Sequence, residues 1–245
     1  MSRRFFAAFD LSPDQFELSG PEAHHLLRVL RMKTGEQVWL FDGQGHEVLA
    51  EILGTEEHGL SAQFKILERR TADNDSAVSL TIATGVPKGD RFSWLVEKLV
   101  ELGVQRLIPL ISKHSIVDPG AGKLDKLRRT IIEASKQCGR TRLMELAEPQ
   151  SWSACVAQEF PNHSVYIAHP GGESFEWSTL GRENSQPGVR PPLFLVGPEG
   201  GFTETEIAQA VHFGARLVRL GTHILRIETA AVAIAALVGL QVKDQ

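Results

Sequence analysis

The stretch LFLVGPEGGFTETE, residues 193–206, decides the fold. Leu193–Val196 is a short apolar run of the kind that forms a buried strand. Gly197, Gly200 and Gly201 then permit a tight turn. Thr203 followed three residues later by Glu206 is a capping-box pattern, with Glu204 in the first turn, so a helix starts there. Strand, glycine turn and helix in that order make one α/β repeat, and such turns usually cradle phosphate. Here Glu199 and Glu204 would face an anion at like charge, whereas a neutral or cationic ligand meets no such penalty. The glycines would let the backbone hydrogen-bond an adenine or ribose edge. An ordinary turn with surplus glycine fits the same residues.

Working outward, the same alternation continues on both sides. Val78–Ala83, Arg106–Ile111, Val165–Ala168, Leu193–Val196 and Arg216–Leu220 read as strands. Helical patterns lie near 90–102, 123–138 and 203–213, and 228–241 follows the last strand. Strands spaced by helices predict parallel βαβ units. The loops GVPKGD, AHPGG, GPEGG and LGTHIL then all fall at strand carboxyl ends, the edge where open α/β sheets bind ligands. GGESFEWSTLGRENSQPGVRPP, 171–192, reads as a long exposed loop. No G-x-G-x-x-G follows the first strand, which disfavours a nicotinamide oxidoreductase.

The first 70 residues differ. EQVWLFDG, HEVLAEIL and LSAQFKIL are β-rich runs joined by glycine turns such as DGQG. SGPEAHHLLRVLRM predicts one helix, capped by Ser19 and Glu22, with Leu26, Leu27, Val29 and Leu30 as its buried stripe. Arg28 and Arg31 would share a face. RRTADNDSA, 69–77, reads as the linker, giving a small β-module at 1–72 and an α/β domain at 73–245.

The chain has 245 residues, 42% hydrophobic, enough for a sizeable core. The net charge of −4 argues against a generally basic nucleic-acid binder, but 88–142 carries 12 Lys/Arg against 6 Asp/Glu, a local net of +6. That segment is a polyanion footprint or a pair of solvated helices. Cys138 and Cys155 lack metal spacing. MSRRFFAAFD has no long apolar core of a signal peptide, and the longest nearly apolar run, Ala230–Leu240, is far short of a membrane span. A cytosolic protein without metal or membrane attachment is expected.

The second informative stretch is LGTHILRIETAAVAIAALVGL, 220–240. Ile224 and Leu225 are apolar where a loop should run, which predicts a buried loop whose backbone groups need a partner such as a ligand. Arg226 and Glu228 precede a helix of small residues suited to close packing, within the chain or across a dimer.

LVGPEGGFTETEI followed by LGTHILRIETAA resembles the signature of the RsmE family of the SPOUT methyltransferases. HHLLRVLRMKTGE, KGDRFSWLVEKLVELGV and EASKQCGR resemble its other conserved segments. The resemblance implies a PUA-like β-barrel joined to a SPOUT domain with a trefoil knot near 193–241. It implies a homodimer that uses S-adenosylmethionine (SAM) to methylate N3 of a uridine in small-subunit (16S) ribosomal RNA, free or in an assembled 30S-type subunit. Ribose 2′-O methylation and a non-catalytic RNA-binding role are the alternatives.

By that resemblance Leu195, Val196, Gly197, Pro198, Glu199, Gly200 and Gly201 form one cofactor loop. Leu220, Gly221, Ile224, Leu225, Thr229 and Ala230 form the other, and His169 follows the third strand in an Ala-His-Pro sequence. A sulfonium ligand explains the acidic Glu199. Arg226 is the candidate for stabilising negative charge on the uracil, or else an ion-pair partner of Glu228 or Glu199. Glu199 and Glu228 are candidate bases or structural groups. Arg3, Arg4, His25, Arg28 and Arg31 are candidates for contact with RNA phosphate. Arg140, sharing a helix face with Glu133 and Gln137, is either another phosphate contact or part of an exposed ion-paired face.

Overall fold

The computed structural model describes residues 4–8, 10–55, 61–71, 79–175, 177, 180 and 188–239. It divides into two compact units, 1–75 with 132–143, and 76–131 with 144–245.

The first unit is a five-stranded sheet. Its strands are β1 (Arg4–Phe6), β2 (Gln15–Ser19), β3 (Gln37–Phe41), β4 (His46–Thr55) and β5 (Ser61–Thr71), in spatial order β1-β3-β4-β5-β2. β1 runs parallel to β3 and the other pairs are antiparallel. Period-two patterning builds the core: Val38 pairs with Ala50, Leu40 with Val48, Ile52 with Phe64, and all six are buried. Phe16 pairs with Phe64 across β2 and β5, their rings stacked at 5.4 Å. The DGQG turn between β3 and β4 places Gly43 and Gly45 at φ +76 and +106, and Asp42 Oδ1 accepts from the amides of Gln44 and His46.

The helix after β2 differs from its sequence pattern. α1 (Pro21–His24) has Gly20 as N-cap without a side-chain hydrogen bond, so the Ser19–Glu22 box does not form; Ser19 ends β2 and Glu22 pairs with Lys136 at 3.1 Å. His25–Val29 continues as a π turn. The wider turn rotates the later side chains, so Leu26 is fully buried while Val29 and Leu30 are exposed.

The second unit is a parallel sheet in the order β12-β10-β11-β6-β7-β8. The strands are β6 (Thr81–Thr84), β7 (Arg106–Ile111), β8 (Glu145–Leu146), β10 (Ser164–Ser174), β11 (Pro192–Val196) and β12 (Arg216–Arg219), with β9 (Gln150–Ser151) also paired to β7. Every residue of β6 and β11 is buried, as two-sided coverage of a parallel sheet demands. Its helices are α2 (Arg91–Glu101), α4 (Trp152–Gln158), α5 (Glu204–His212) and α6 (Ile227–Gly239); α3 (Ala121–Cys138) gives its first part to this unit and its last turns to the first. α2 buries Phe92, Leu95, Val96, Leu99 and Val100, an i, i+3, i+4, i+7, i+8 stripe. The small residues Ala230, Ala231 and Ala235 seat α6 against α2. No described helix is long and apolar enough to cross a membrane.

β6 leads through α2 to β7, and β11 leads through α5 to β12, yet β6 and β11 are neighbours. Their outgoing loops therefore diverge, which makes this junction the switch point where α/β sheets take ligands. The two loops touch through backbone: the Gly85 amide donates to the Val196 carbonyl at 2.9 Å, and a Cβ on Gly85 would lie 2.7 Å from the Pro198 nitrogen.

β10 is longer than its apolar run. After Ala168 the chain bulges, and Val218 of β12 pairs with both Ala168 and Glu173. AHPGG is thus part of an interrupted strand, not a free loop. Gly172 is pressed on β12, where a Cβ would lie 2.7 Å from the Val218 nitrogen.

Candidate active site

The glycine turn after β11 is closed by the Gly201 amide donating to the Pro198 carbonyl at 2.8 Å, with Gly201 at φ +68. His114, in the loop after β7, lies below it. Its Nδ1 is 3.0 Å from the Gly200 carbonyl oxygen and 3.2 Å from that of Gly201. Carbonyl oxygens only accept, so Nδ1 carries the proton. A Cβ on Gly200 would lie 3.0 Å from the His114 Cβ, so glycine is what lets the imidazole approach.

The capping box forms in full. The Glu206 amide donates to Thr203 Oγ1 at 3.2 Å and the Thr203 amide to Glu206 Oε2 at 2.8 Å. Glu206 is buried, and its Oε1 accepts the Lys113 amide at 2.9 Å. One carboxylate thus ties the glycine turn to the loop after β7.

The second loop leaves β12 through Gly221 at φ +143 and enters α6 where the Ala230 amide donates to the Arg226 carbonyl. The expectation that Ile224 is buried fails: it is 88% exposed, Leu225 is half-buried, and Gly221 to Ile224 face outward. No part of the described chain folds over this loop. Among the described residues, Gly221 to Leu225 make no backbone hydrogen bond with one another or with other loops, so their donors and acceptors are open. Ala230 is buried and Thr229 exposed.

Arg226 is exposed, and no ion pair joins it to Glu228 or Glu199 among the described residues. Their partner is Arg91, the first residue of α2. Its NH1 lies 3.3 Å from Glu228 Oε1, its NH2 lies 3.5 Å from Glu199 Oε1, and its Nε donates to the Lys88 carbonyl at 3.4 Å. Glu228 is buried, and its Oε2 has no hydrogen-bond partner among the described residues. Sequence reading passed over Arg91, although a cation at a helix N-terminus opposes the helix dipole and so signals an acidic partner elsewhere.

His169 stands in the β10 bulge, its Nδ1 accepting the Gly171 amide at 3.1 Å. β10 lies between β11 and β12, so the bulge adjoins the ends of the strands that feed the two loops. Loops 197–203 and 220–226, the bulge and Arg91 therefore share one sheet edge. Among the described residues no group of three His, Cys, Asp or Glu side chains could hold a metal.

The basic candidates separate. Arg3 lies outside the described residues. Arg4 is 8% exposed in its side chain: Nε bonds Glu47 at 2.7 Å, NH1 donates to the Ser135 carbonyl, and the guanidinium lies over Phe41. It staples the first unit, joining β1 to β4 through Glu47 and to the end of α3 through Ser135. Arg140 is also corrected. Gly139, at φ +87, ends α3 before it, so the Glu133–Gln137 face does not extend to Arg140, which is 8% exposed. His25 packs edge-on against Phe5. Arg28 and Arg31 are both exposed; Arg31, at φ +54, lies past the helix end, so they do not share a helical face.

A family model described as an RNA methyltransferase domain matches residues 74–239, and one described as an RNA methyltransferase PUA domain matches 18–65. The ribosomal RNA small subunit methyltransferase E of Bacillus subtilis is 30% identical over 223 residues, covering 88% of this chain and 86% of that protein. The crystal structure of a ribosomal RNA small subunit methyltransferase E from Neisseria gonorrhoeae bound to SAM is 31% identical over 96% of each chain, with a TM-score of 0.85. Lpg2936 of Legionella pneumophila, solved with bound SAM, is 30% identical over 97% of each chain, with a TM-score of 0.83. A parallel α/β sheet with paired backbone loops at its carboxyl edge, and similarity along nearly the whole length, place this chain in the ribosomal RNA small subunit methyltransferase E family.

Proposed function

We propose that this chain methylates N3 of a uridine in small-subunit (16S) ribosomal RNA, with SAM as methyl donor. The observation that carries the reading is the pair of backbone loops, the glycine turn at 197–203 and the exposed loop at 220–226, flanked by two carboxylates at the switch point. The residues fit the donor. Gly197 presents backbone, Gly221 to Leu225 have hydrogen-bonding groups unspent among the described residues, and Glu199 and Glu228 suit a cation. Leu195 to Gly201, Leu220, Gly221, Ile224, Leu225, Thr229, Ala230 and His169 would hold it. When bound, SAM supplies a methyl group activated by its sulfonium.

The chain's own work is alignment, exclusion of water and charge stabilisation. Arg226, exposed and without an ion-pair partner among the described residues, is free to meet the negative charge that develops on the uracil as N3 loses its proton. Glu199 and Glu228 are the candidates to take that proton. His25, Arg28 and Arg31 hold the phosphate backbone of the RNA. In this reading 18–65 lies in a PUA-like RNA-binding barrel, 193–241 forms the trefoil knot, and the active form is a cytoplasmic homodimer. The neighbouring order β10-β11-β6, with α6 packed back on α2, favours the knot. Exposed Ile224 and Leu237 favour a second subunit.

The test is methylation of small subunits and of free rRNA from cells lacking the activity, followed by mass mapping of the modified nucleotide. N3-methyluridine is the expected product. A 2′-O-methyl nucleotide would convert the enzyme into a ribose methyltransferase. Absence of SAM binding in a calorimetric titration would leave an RNA-binding protein. Sedimentation velocity reads the dimer.

A further inference from the structure

The acidic groups of both loops converge on one cation that belongs to neither loop. Arg91 begins α2 and is anchored to its own approach loop through the Lys88 carbonyl. Its two terminal nitrogens diverge, one to Glu228 at the start of α6 and one to Glu199 in the glycine turn. A planar guanidinium holds two carboxylates through a rigid fork of donors, whereas the donors of an ammonium rotate freely. The legs differ in strength. Glu199 is well exposed and its contact is 3.5 Å, so solvent weakens it; the Glu228 side chain is 10% exposed at 3.3 Å, so that contact is less screened. Without Arg91, two carboxylates would face each other across the gap between the loops, one of them buried.

Glu228 supplies the second observation. Arg91 takes Oε1, while Oε2 is buried and, among the described residues, unpartnered. Such an oxygen is costly to leave unsatisfied and is satisfied by an incoming donor.

We propose that Arg91 is a positioning residue for the methyl donor: it sets the separation of the two loops and orients Glu228 so that Oε2 accepts an N–H or O–H of the bound molecule. The proposal rests on the SAM reading of the loops. It makes Arg91 part of binding and leaves the methyl-transfer step to other residues.

The experiment is calorimetric titration with SAM, with steady-state kinetics on the small subunit, for wild type, Arg91→Ala, Arg91→Lys, Glu228→Gln and the double variant Arg91→Ala with Glu228→Gln. Arg91→Ala should raise the Kd for SAM about tenfold or more, with kcat at saturating SAM within about threefold of wild type. Arg91→Lys, which keeps the charge but loses the rigid fork and the reach of the guanidinium, should fall between. Because the pair acts as a unit, the double variant should bind within about twofold of the weaker single variant. An unchanged Kd in Arg91→Ala, a loss confined to kcat, or additive effects would each overturn the proposal. Should Arg91→Ala fail to fold, Glu228→Gln alone decides: wild-type affinity there sinks it. Wild type that does not bind SAM overturns the functional reading instead.

Discussion

Glu206 serves three donors with one carboxylate: the Thr203 amide, the Thr203 hydroxyl and the Lys113 amide. The first two are a local matter of the capping box. The third crosses to the loop after β7, and no spacing rule announces it. Glu206→Ala should therefore cost more than an ordinary cap, about 2–4 kcal/mol in urea unfolding, because buried donors are stranded as well. Arg226 has the opposite profile: its side chain is exposed and has no ion-pair partner among the described residues. Arg226→Ala should leave the melting temperature and SAM affinity near wild type and lower methylation about a hundredfold. Near-normal turnover would remove it from the mechanism. The cysteines offer a third residue-level check. Cys155 is fully buried, and burial, reinforced by the Glu159 charge, pushes its thiol to about 12, while Cys138 is exposed. One equivalent of a maleimide should react with the folded protein and two after denaturation.

At the scale of elements, the strand–loop–helix units of the α/β part were legible because period and punctuation agree there. Arg106–Ile111 has the predicted bounds, and Leu193–Val196 and Arg216–Leu220 shift by one residue. β8, β9 and α4 were missed, being two to seven residues long and held by neighbours rather than by their own pattern. The sequence reading of β10 ends at Ala168, two residues before Pro170, whereas the bulge carries the strand past that proline to Ser174. The π turn after α1 was likewise invisible, because a 3.6-residue period was assumed. The touching loops at the switch point give the prediction for this scale. Gly85→Ala should push Pro198 and the glycine turn outward, lowering stability by about 1–3 kcal/mol and weakening SAM binding, read by thermal melts and calorimetry.

For the whole molecule, a buried ion-pair network joins β7, β9 and the end of α4. Glu159 accepts from Gln150 at 2.9 Å and from Arg106 at 2.7 Å, with His163 at 3.8 Å. Burial alone would raise its carboxyl, but the hydrogen bonds from Gln150 and Arg106 and the Arg106 charge bring it below the ordinary 4.5. A depressed carboxyl contributes stability above its unfolded value and loses it as pH falls through the lower folded value. Glu159→Gln should thus be less stable than wild type at neutral pH, and the gap should close below pH 4.5 in acid-unfolding curves. RNA affinity is the other whole-molecule observable. Arg28→Glu with Arg31→Glu should weaken binding and flatten its salt slope by about 2, since two phosphate contacts are removed. An unchanged slope would exclude both arginines from the interface.

The sequence by itself determined the alternation of strand and helix, the glycine turn after Leu193–Val196 and the cap at Thr203 and Glu206, because each depends on residues within a few positions of one another. It also marked two acidic loops, since composition alone places Glu199 and Glu228 beside glycine-rich or apolar bends. Only the tertiary structure decided which cation meets those carboxylates. Arg91 stands 108 and 137 positions away from them, and a sheet order that makes β6 and β11 neighbours is what brings it there. The same holds for Arg4 and Arg140, basic in composition but buried by packing that no local pattern encodes, so charge count alone could not tell a surface contact from an internal staple.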